Sequence, residues 1–371
     1  MYMIKCYRIK GDDNVKFVHI ADMHMDSPFT VLTNKSGLGE TRRLEQRKVL
    51  GKVIEYIKKN KIEYLFIAGD LYEQEYVRKT TIDYINAQFK SIPDTKIFIS
   101  PGNHDPFIKN SYYSNYEWSK NVYIFKGKFE RISEENVDIY GMGFTDFHLE
   151  DSNISELCIQ DENKINILVM HADLNGAKDM KGYSYNPVTV NQLKNLNMDY
   201  VALGHIHNTN YSQPNERIIY PGSTVSLGFD ELGNHGMVVG EILKNSIKLE
   251  FLKLDDRVFV EKEVEITNLN SNEEIIEKID MLDFEENYMY KIILTGKRKF
   301  EVDEQFIIKN VNNNNILKIE NRSKLNYDLE KLSKEISLKG FFVKECLSKL
   351  NNGEYTEEEI ERAIEIGLDS M

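Results

Sequence analysis

The sequence predicts an α/β fold of two packed sheets flanked by helices, followed by a small α+β capping domain and a C-terminal helical tail. Three observations predict it. Short apolar runs of β type alternate with loops up to about residue 255, the first two of them flank a helix, and beyond that point spacing and charge both change. The expected domains are therefore 1–255, 256–328 and 329–371.

In chain order, strands are expected in "VKFVHIAD", "EYLFIAGD", "KIFISPGN", "NVYIF", "VDIYGMGF", "INILVMHAD", "MDYVALGH", "RIIYPGS" and "MVVGEI". Between the first two, Leu50, Val53, Ile54 and Ile57 recur with helical spacing opposite a face rich in Lys and Glu. Strand, helix, strand implies a βαβ unit with parallel pairing; the closely spaced later strands imply sheet on sheet. In the cap, "SNEEIIEKIDML" reads as a helix, "NYMYKIILTG" and "NILKIEN" as strands, and "NVNNNN" at 310–315 as low complexity. In the tail, "LKGFFVKECLSKL" precedes a second helix in which Thr356 and Glu359 have capping-box spacing and Ile360, Ala363 and Ile364 form an apolar stripe. Such a stripe packs on its own domain or docks a partner.

Composition narrows the function. The chain of 371 residues has no run of ~18 apolar residues, which excludes a membrane-spanning helix. "MYMIKCYRIKGDD" lacks the apolar stretch of a signal peptide, so a cytoplasmic location is expected. The three cysteines, Cys6, Cys158 and Cys346, are scattered, against a disulfide framework or a thiolate metal site. Net charge is −13, with 17 Lys/Arg against 26 Asp/Glu from Asp256 onward. Broad phosphate neutralisation needs a basic surface, so nucleic-acid contact must be local, metal-assisted or supplied by a partner.

Most of the expected strands of the first domain end in a metal-binding type of side chain: Asp22 and His24, Asp70, Asn103 and His104, His171, and His205 with His207. The carboxyl edge of a parallel sheet is where α/β proteins place ligands. Singly, each residue is as well explained by a turn, a cap or a core histidine; the ordered set D-x-H, GD, GNHD, H and GHxH is what points to a site. Adjacent-but-one histidines face opposite sides of a regular strand, so "HIH" needs a bend, which Gly204 allows, as Gly102 allows one before Asn103. Oxygen and imidazole donors without thiolate suit Mn, Fe, Zn or Ni. Two such ions ~3.5–4 Å apart can clamp a phosphoryl centre, and Asp70, with two carboxylate oxygens, is the natural bridge.

The series "ADMHMDSPF", "GDLYE", "GNHD", "MHADLNG", "LGHIH" and "YPGST" resembles the calcineurin-like metallophosphoesterase superfamily. Within it the chain is similar to the SbcD branch of DNA-break-repair nucleases, most of all to its YhaO-like DNA repair exonuclease group. The motifs cover residues 15 to about 255. The resemblance implies a metallophosphoesterase sandwich in which Asp22, His24 and His207 hold one metal, Asn103, His171 and His205 hold a second, and Asp70 bridges. His104 is then no ligand but a catalytic group beside the scissile phosphate, with Asp105 orienting it. The implied cofactors are two divalent ions, Mn²⁺ first, with Fe, Zn, Ni or Mg as alternatives; the implied partners are DNA, an SbcC-like coiled-coil ATPase docked by the C-terminal helices, and a second copy in a homodimer. One departure stands out: three residues after the bridging aspartate, SbcD-type nucleases typically carry a histidine that positions nucleic acid, and here Glu73 takes its place. That puts processive exonuclease action on duplex ends in question.

Arg42, Arg43, Arg47 and Lys48, and Lys297, Arg298 and Lys299 in the cap, are either solvated faces or phosphate contacts. The aromatic run Tyr112–Trp118 either stacks bases or packs a loop. His19, His148 and His235 fall outside the motifs and read as structural. The expected function is a two-metal phosphodiesterase cutting DNA, exo or endo, in repair. The alternatives are a small-molecule nucleotide or cyclic-nucleotide phosphodiesterase and a non-catalytic scaffold on the same fold.

Overall fold

The computed structural model describes residues 14–29, 38–174, 176, 178, 180–213, 216–244, 246–326 and 329–371; Cys6 and Asn175 lie outside them. The chain divides into two compact units, the first ending at Val258 and the second running Phe259–Met371.

The first unit contains, in order, β1 (Val15–Ile20), α1 (Leu38–Asn60), β2 (Tyr64–Ile67), α2 (Lys79–Lys90), β3 (Lys96–Ile99), α3 (Tyr112–Asn115), β4 (Val122–Ile124), β5 (Glu130–Ser133) and β6 (Val137–Met142). There follow β7 (Ile165–His171), β8 (Asp173–Leu174), β9 (Pro187–Val188), α4 (Val190–Asn195), β10 (Tyr200–Gly204), β11 (Ile218–Ile219), β12 (Gly236–Leu243) and β13 (Ser246–Lys253). One sheet has six strands in the order β13-β12-β1-β2-β3-β4, and a second has five in the order β11-β10-β7-β6-β5. β1, β2, β3 and β4 run parallel, as do β6, β7, β10 and β11, while β12 and β13 close the first sheet antiparallel. The β1-α1-β2 segment is the parallel βαβ unit expected from the sequence.

Alternation along the strands sets the layers. In β1 the side chains of Val15 and Phe17 face the second sheet, where they meet Ile167, Val169 and Tyr200, and those of Val18 and Ile20 face the helices. Val49, Leu50, Val53, Ile54 and Ile57 of α1 and Ile82, Ile85 and Phe89 of α2 cover that outer face. On the far side, Leu168, Met170, Val201 and Leu203 are covered by Leu193 of α4 and its neighbours. Strands buried on both faces read as continuous apolar runs, which is why β2, β7 and β10 are fully buried along their length. The carboxyl ends of β1, β2, β3, β7 and β10 are left as the place where polar side chains can gather.

In the second unit, β14 (Val258–Glu265), β15 (Tyr288–Thr295) and β17 (Ile316–Asn321) form a sheet in the order β14-β15-β17. It packs on α5 (Asn272–Asp280) and α6 (Glu304–Asn310) through Ile275, Ile279, Ile292, Leu294 and Ile307. A short pair, β16 (Lys297–Arg298) and β18 (Lys324–Leu325), extends it. Then come α7 (Leu329–Leu332), α8 (Leu338–Asn351) and α9 (Glu357–Asp369). The Thr356–Glu359 capping box is formed. Ile360, Ile364 and Leu368 pack on Val343 and Cys346 of α8, whereas Ala363 is exposed, so the buried stripe runs at spacings of four and leaves Ala363 out.

Candidate metal centre

The side chains converge because the loops leaving the strands stay paired after the strands end. Asp22 N donates to Gly69 O (3.1 Å), His24 N to Asp70 O (2.9 Å) and Met25 N to Leu71 O (3.1 Å). Gln46, fully buried on α1, donates from Nε2 to the carbonyls of Met23 and His24. Asp22, His24, Asp70 and His205 all have positive φ (49°, 47°, 51° and 112°). Such conformations are uncommon outside glycine and cluster at functional sites, where surrounding structure holds them.

Two of the sequence expectations about bends are corrected here. Gly204 is still in β10 and the reversal occurs at His205; a Cβ on Gly204 would lie 1.8 Å from Ala68 O, so glycine is required by close approach of two strands. Gly102 is required for the same reason, since its Cβ would lie 2.2 Å from Asp70 Oδ1.

Asp22, His24 and His207 present ligand atoms within 4.8 Å of one another, as do Asp22, Asp70 and His171, and His24, Asp70 and His104. Asn103 Oδ1 is 3.0 Å and Asp70 Oδ2 3.3 Å from His171 Nε2. The same Asp70 Oδ2 is 3.8 Å from His24 Nε2, while Oδ1 accepts from His104 N (2.8 Å). Asp70 therefore stands between the two groups through a single oxygen. His205 lies with its ring 5.2 Å from that of His171 and stacked on Tyr185, its Nε2 3.9 Å from Asp173; its backbone N donates to Asp22 Oδ1 (3.0 Å).

The donor set fits divalent cations on chemical grounds. His24 Nδ1 donates to Glu73 Oε1 (2.7 Å) and His207 Nδ1 to Glu231 Oε1 (2.5 Å), so each of those rings turns Nε2 inward, and the two Nε2 atoms are 3.1 Å apart. His171 likewise commits Nδ1 to Ala68 O (2.9 Å) and aims Nε2 at the oxygens of Asn103 and Asp70. Lone pairs facing lone pairs at this range need a positive charge between them. A proton or a metal can supply it, and bonds of ~2.1 Å meeting near a right angle span about 3 Å. Protonation is the state the protein falls back on: burial opposes it, but Asp70 and Asp22 push His171 up to about 9, and Glu231 and Asp22 push His207 up to about 9. Burial raises Asp22; it also disfavours the charge of Asp70, but there the surrounding imidazoles outweigh it and hold the carboxyl well below the usual range.

His104 and Asp105 part company. The His104 side chain is 46% exposed, and its Nδ1 donates to Glu73 Oε2 (2.9 Å). Burial works against its charge, yet the Glu73 bond and the negative charge of Asp70 bring it up to about 9. Asp105 is fully buried and accepts from Asp70 N (3.0 Å), Leu71 N (2.6 Å), Gly102 N (2.7 Å) and Tyr113 Oη (2.7 Å). Burial and the charge of Asp70 push it up to about 7, against those donors. Its bonds hold two loops rather than the His104 ring, so the orienting role expected for it falls to Glu73. Glu73 is also not a stray charge facing substrate. Burial disfavours its ionised form, but both oxygens are taken by imidazoles, which hold it down to about 2.

Arg42 is corrected as well. It is fully buried, bonded to both oxygens of Asp255 (3.1 and 2.7 Å), to Ser226 O and to Glu45, and presents no surface to a phosphate. Arg43 is partly exposed on α1; in the second unit Lys297 is exposed and Arg298 donates to Phe300 O. Tyr113 and Trp118 pack with Tyr72 and Phe89, the packing alternative for that aromatic run. His19 bonds Tyr200 Oη inside the sandwich (2.9 Å) and His148 stacks on Tyr183. His235 is nearer the chemistry than its sequence context implies: it bonds Ser223 Oγ (2.8 Å), which donates to Glu231 Oε2 (2.9 Å), behind His207. Glu73, Glu231, Gln46 and Tyr113 are the site residues that sequence reasoning misses; only Glu73 carried a signal, as a departure from pattern.

Comparison with known proteins agrees with this geometry. The Calcineurin-like phosphoesterase family model matches residues 15–209. Uncharacterized metallophosphoesterase YhaO of Bacillus subtilis (strain 168) is 24% identical over 281 residues, 72% of this chain and 67% of that one. The SbcD component of the nuclease SbcCD from Staphylococcus epidermidis (strain ATCC 12228 / FDA PCI 1200) is 27% identical over 307 residues, 69% of this chain and 77% of that one. Its counterpart from Staphylococcus saprophyticus is 27% identical over 310 residues, 74% and 77% of the two chains. A solved structure, "GAP50 the anchor in the inner membrane complex of Plasmodium", is similar at TM-score 0.36 and 13% identity over 65% of this chain and 84% of that one, too slight a likeness to carry a role across.

Proposed function

We propose that this chain, which belongs to the calcineurin-like phosphoesterase family, is a DNA phosphodiesterase that works with two divalent ions, Mn²⁺ first among them. Family membership makes it a metal-dependent phosphoesterase. The observation that carries the finer reading is the convergence of seven metal-type side chains from five strand ends, with the half-exposed His104 beside the shared Asp70.

When bound, the ions supply Lewis-acid polarisation of the phosphoryl oxygens and a nucleophile at neutral pH. Asp22, His24 and His207 would hold one and Asn103, His171 and His205 the other, with Asp70 Oδ2 between them. Glu73 fixes the tautomer of His104 by taking Nδ1–H, which leaves Nε2 as the nitrogen that meets substrate. As an imidazolium at neutral pH, His104 donates a proton to the leaving oxygen or balances charge on the phosphate. The nuclease relatives support DNA as substrate, an SbcC-like ATPase as partner to the C-terminal helices, a role in DNA repair in the cytoplasm, and a homodimer. Among the described residues no helix is long and apolar enough to cross a membrane.

The net charge of −13 favours a second reading, a small nucleotide or cyclic-nucleotide phosphodiester as substrate. End-labelled single-stranded, blunt and hairpin DNA, tested with a panel of metals with and without the ATPase, separates the two. Cleavage of any DNA in Mn²⁺ supports the proposal. Intact DNA alongside hydrolysis of a cyclic nucleotide overturns it.

A further inference from the structure

The imidazoles that point into the centre are not supported alike. Around Asp22, both histidines lean on carboxylates. His24 Nδ1 is bonded to Glu73 Oε1 (2.7 Å) and His207 Nδ1 to Glu231 Oε1 (2.5 Å), and these two glutamate side chains are only 13% and 9% exposed. Glu231 cannot swing away, because its other oxygen accepts from Ser223 Oγ (2.9 Å) and Leu227 N (3.1 Å). Its carbonyl accepts from His235 Nε2 (3.0 Å) and Ser226 Oγ (2.9 Å). The loop carrying it is pinned in turn to α1, where Arg42 Nη2 bonds both Ser226 O (2.8 Å) and Asp255 Oδ2 (2.7 Å).

The other group has neutral support. His171 Nδ1 rests on a backbone carbonyl, Ala68 O (2.9 Å), and its companion Asn103 is an uncharged amide. His205 stacks on Tyr185, and Asp173, the carboxylate nearest its Nε2, is 3.9 Å away, too far for a hydrogen bond. A carboxylate on the far nitrogen makes an imidazole a stronger electron donor and fixes its orientation; losing such a partner typically costs ~10- to 100-fold in metal affinity.

On the two-metal reading above, we infer that the two positions are unequal by construction: Glu231 and Glu73 are positioning residues that make Asp22, His24 and His207 the tight site, and Asn103, His171 and His205 form the exchangeable one. The chain then holds one ion persistently and takes up the second at higher free metal. With two carboxylate supports on one side and none on the other, the affinities differ by at least ~10-fold.

The test is Mn²⁺ titration of the full-length, chelator-stripped protein, following free Mn²⁺ by electron paramagnetic resonance and heat by calorimetry. Two classes of site are expected, one ion each. Glu231→Gln weakens the tight class ~10- to 100-fold and spares the other, whereas Asn103→Ala abolishes the weak class alone. Should Glu231→Gln fail to fold, Glu73→Gln on a separate loop gives the same readout through His24. Two equivalent ions, or a glutamate variant that weakens only the second class, overturns the inference. DNA cleavage by a protein with two equivalent ions would sink this inference and leave the function standing; two unequal classes without cleavage of DNA would do the reverse.

Discussion

Replacing Asp105 with alanine should unfold the first unit, while replacing its neighbour His104 should not. Asp105 is a fully buried carboxylate that accepts from three backbone amides and the Tyr113 hydroxyl, tying the Asp70 turn to the turn at Gly102. An abandoned buried donor costs about 1–3 kcal/mol, so losing this acceptor costs about 4–8 kcal/mol once partial entry of water is allowed for. That is most of the ~5–15 kcal/mol that holds a typical domain together. Asp105→Asn keeps one oxygen and turns an amide N–H₂ towards the remaining donors, and should lose about 2–4 kcal/mol. The His104 side chain is 46% exposed, and His104→Ala should stay within about 1 kcal/mol of wild type. Urea unfolding followed by circular dichroism, in chelator so that bound metal does not mask the differences, measures all three. If both Asp105 variants match wild type in stability and differ only in turnover, the carboxylate acts on the chemistry and the reasoning is wrong.

Arg42→Ala should destabilise by about 3–5 kcal/mol, because it strands Asp255 as a buried charge; under conditions where it is folded, DNA affinity measured by fluorescence anisotropy should equal that of wild type. Burial holds His19 down to about 3 against an ordinary 6.5, outweighing its bond to Leu203, so it is neutral in the fold while the unfolded chain takes a proton. Its contribution is complete above pH 6.5 and lost as pH falls towards 3, at up to ~1.4 kcal/mol per pH unit. His19→Gln should flatten the dependence of unfolding free energy on pH between 7 and 5, and an unchanged slope would count against a buried neutral ring. Asp70→Asn should lose metal as well as turnover, because the oxygen shared by the two groups is replaced or weakened; metal analysis of the purified variant checks this.

The sandwich was legible because its central strands are buried on both faces and each is followed by a polar ligand type. Periodicity also marked α1, through Leu50, Val53, Ile54 and Ile57. Helix α2 was not legible: its core residues Ile82, Ile85 and Phe89 sit among Thr, Asn and Gln, and its N-terminal Arg78 makes no side-chain cap. Strand β13 reads as a polar, charged run because one face of an edge strand meets solvent. At the centre, the residues that point inward were visible, since the chemistry demands their types at strand ends. The residues behind them were not. Glu231 and Gln46 are ordinary surface types in the sequence and become buried supports only when a loop and α1 fold over the site. Arg42 misled for the same reason, since a basic cluster on a helix reads as solvated until Asp255, distant in sequence, arrives beside it. Asp105 was grouped with His104 by adjacency, yet consecutive residues in an irregular loop face different ways, one inward to amides and one outward to solvent.

Two ions and an imidazole acting on one substrate are the heart of the proposed chemistry, and the most direct test is cleavage of end-labelled DNA by His104→Ala with its bound Mn²⁺ counted. The expected result is full metal occupancy with a rate ~10²- to 10⁴-fold below wild type. A variant that loses an ion, or one that retains both and cuts DNA at the wild-type rate, contradicts it.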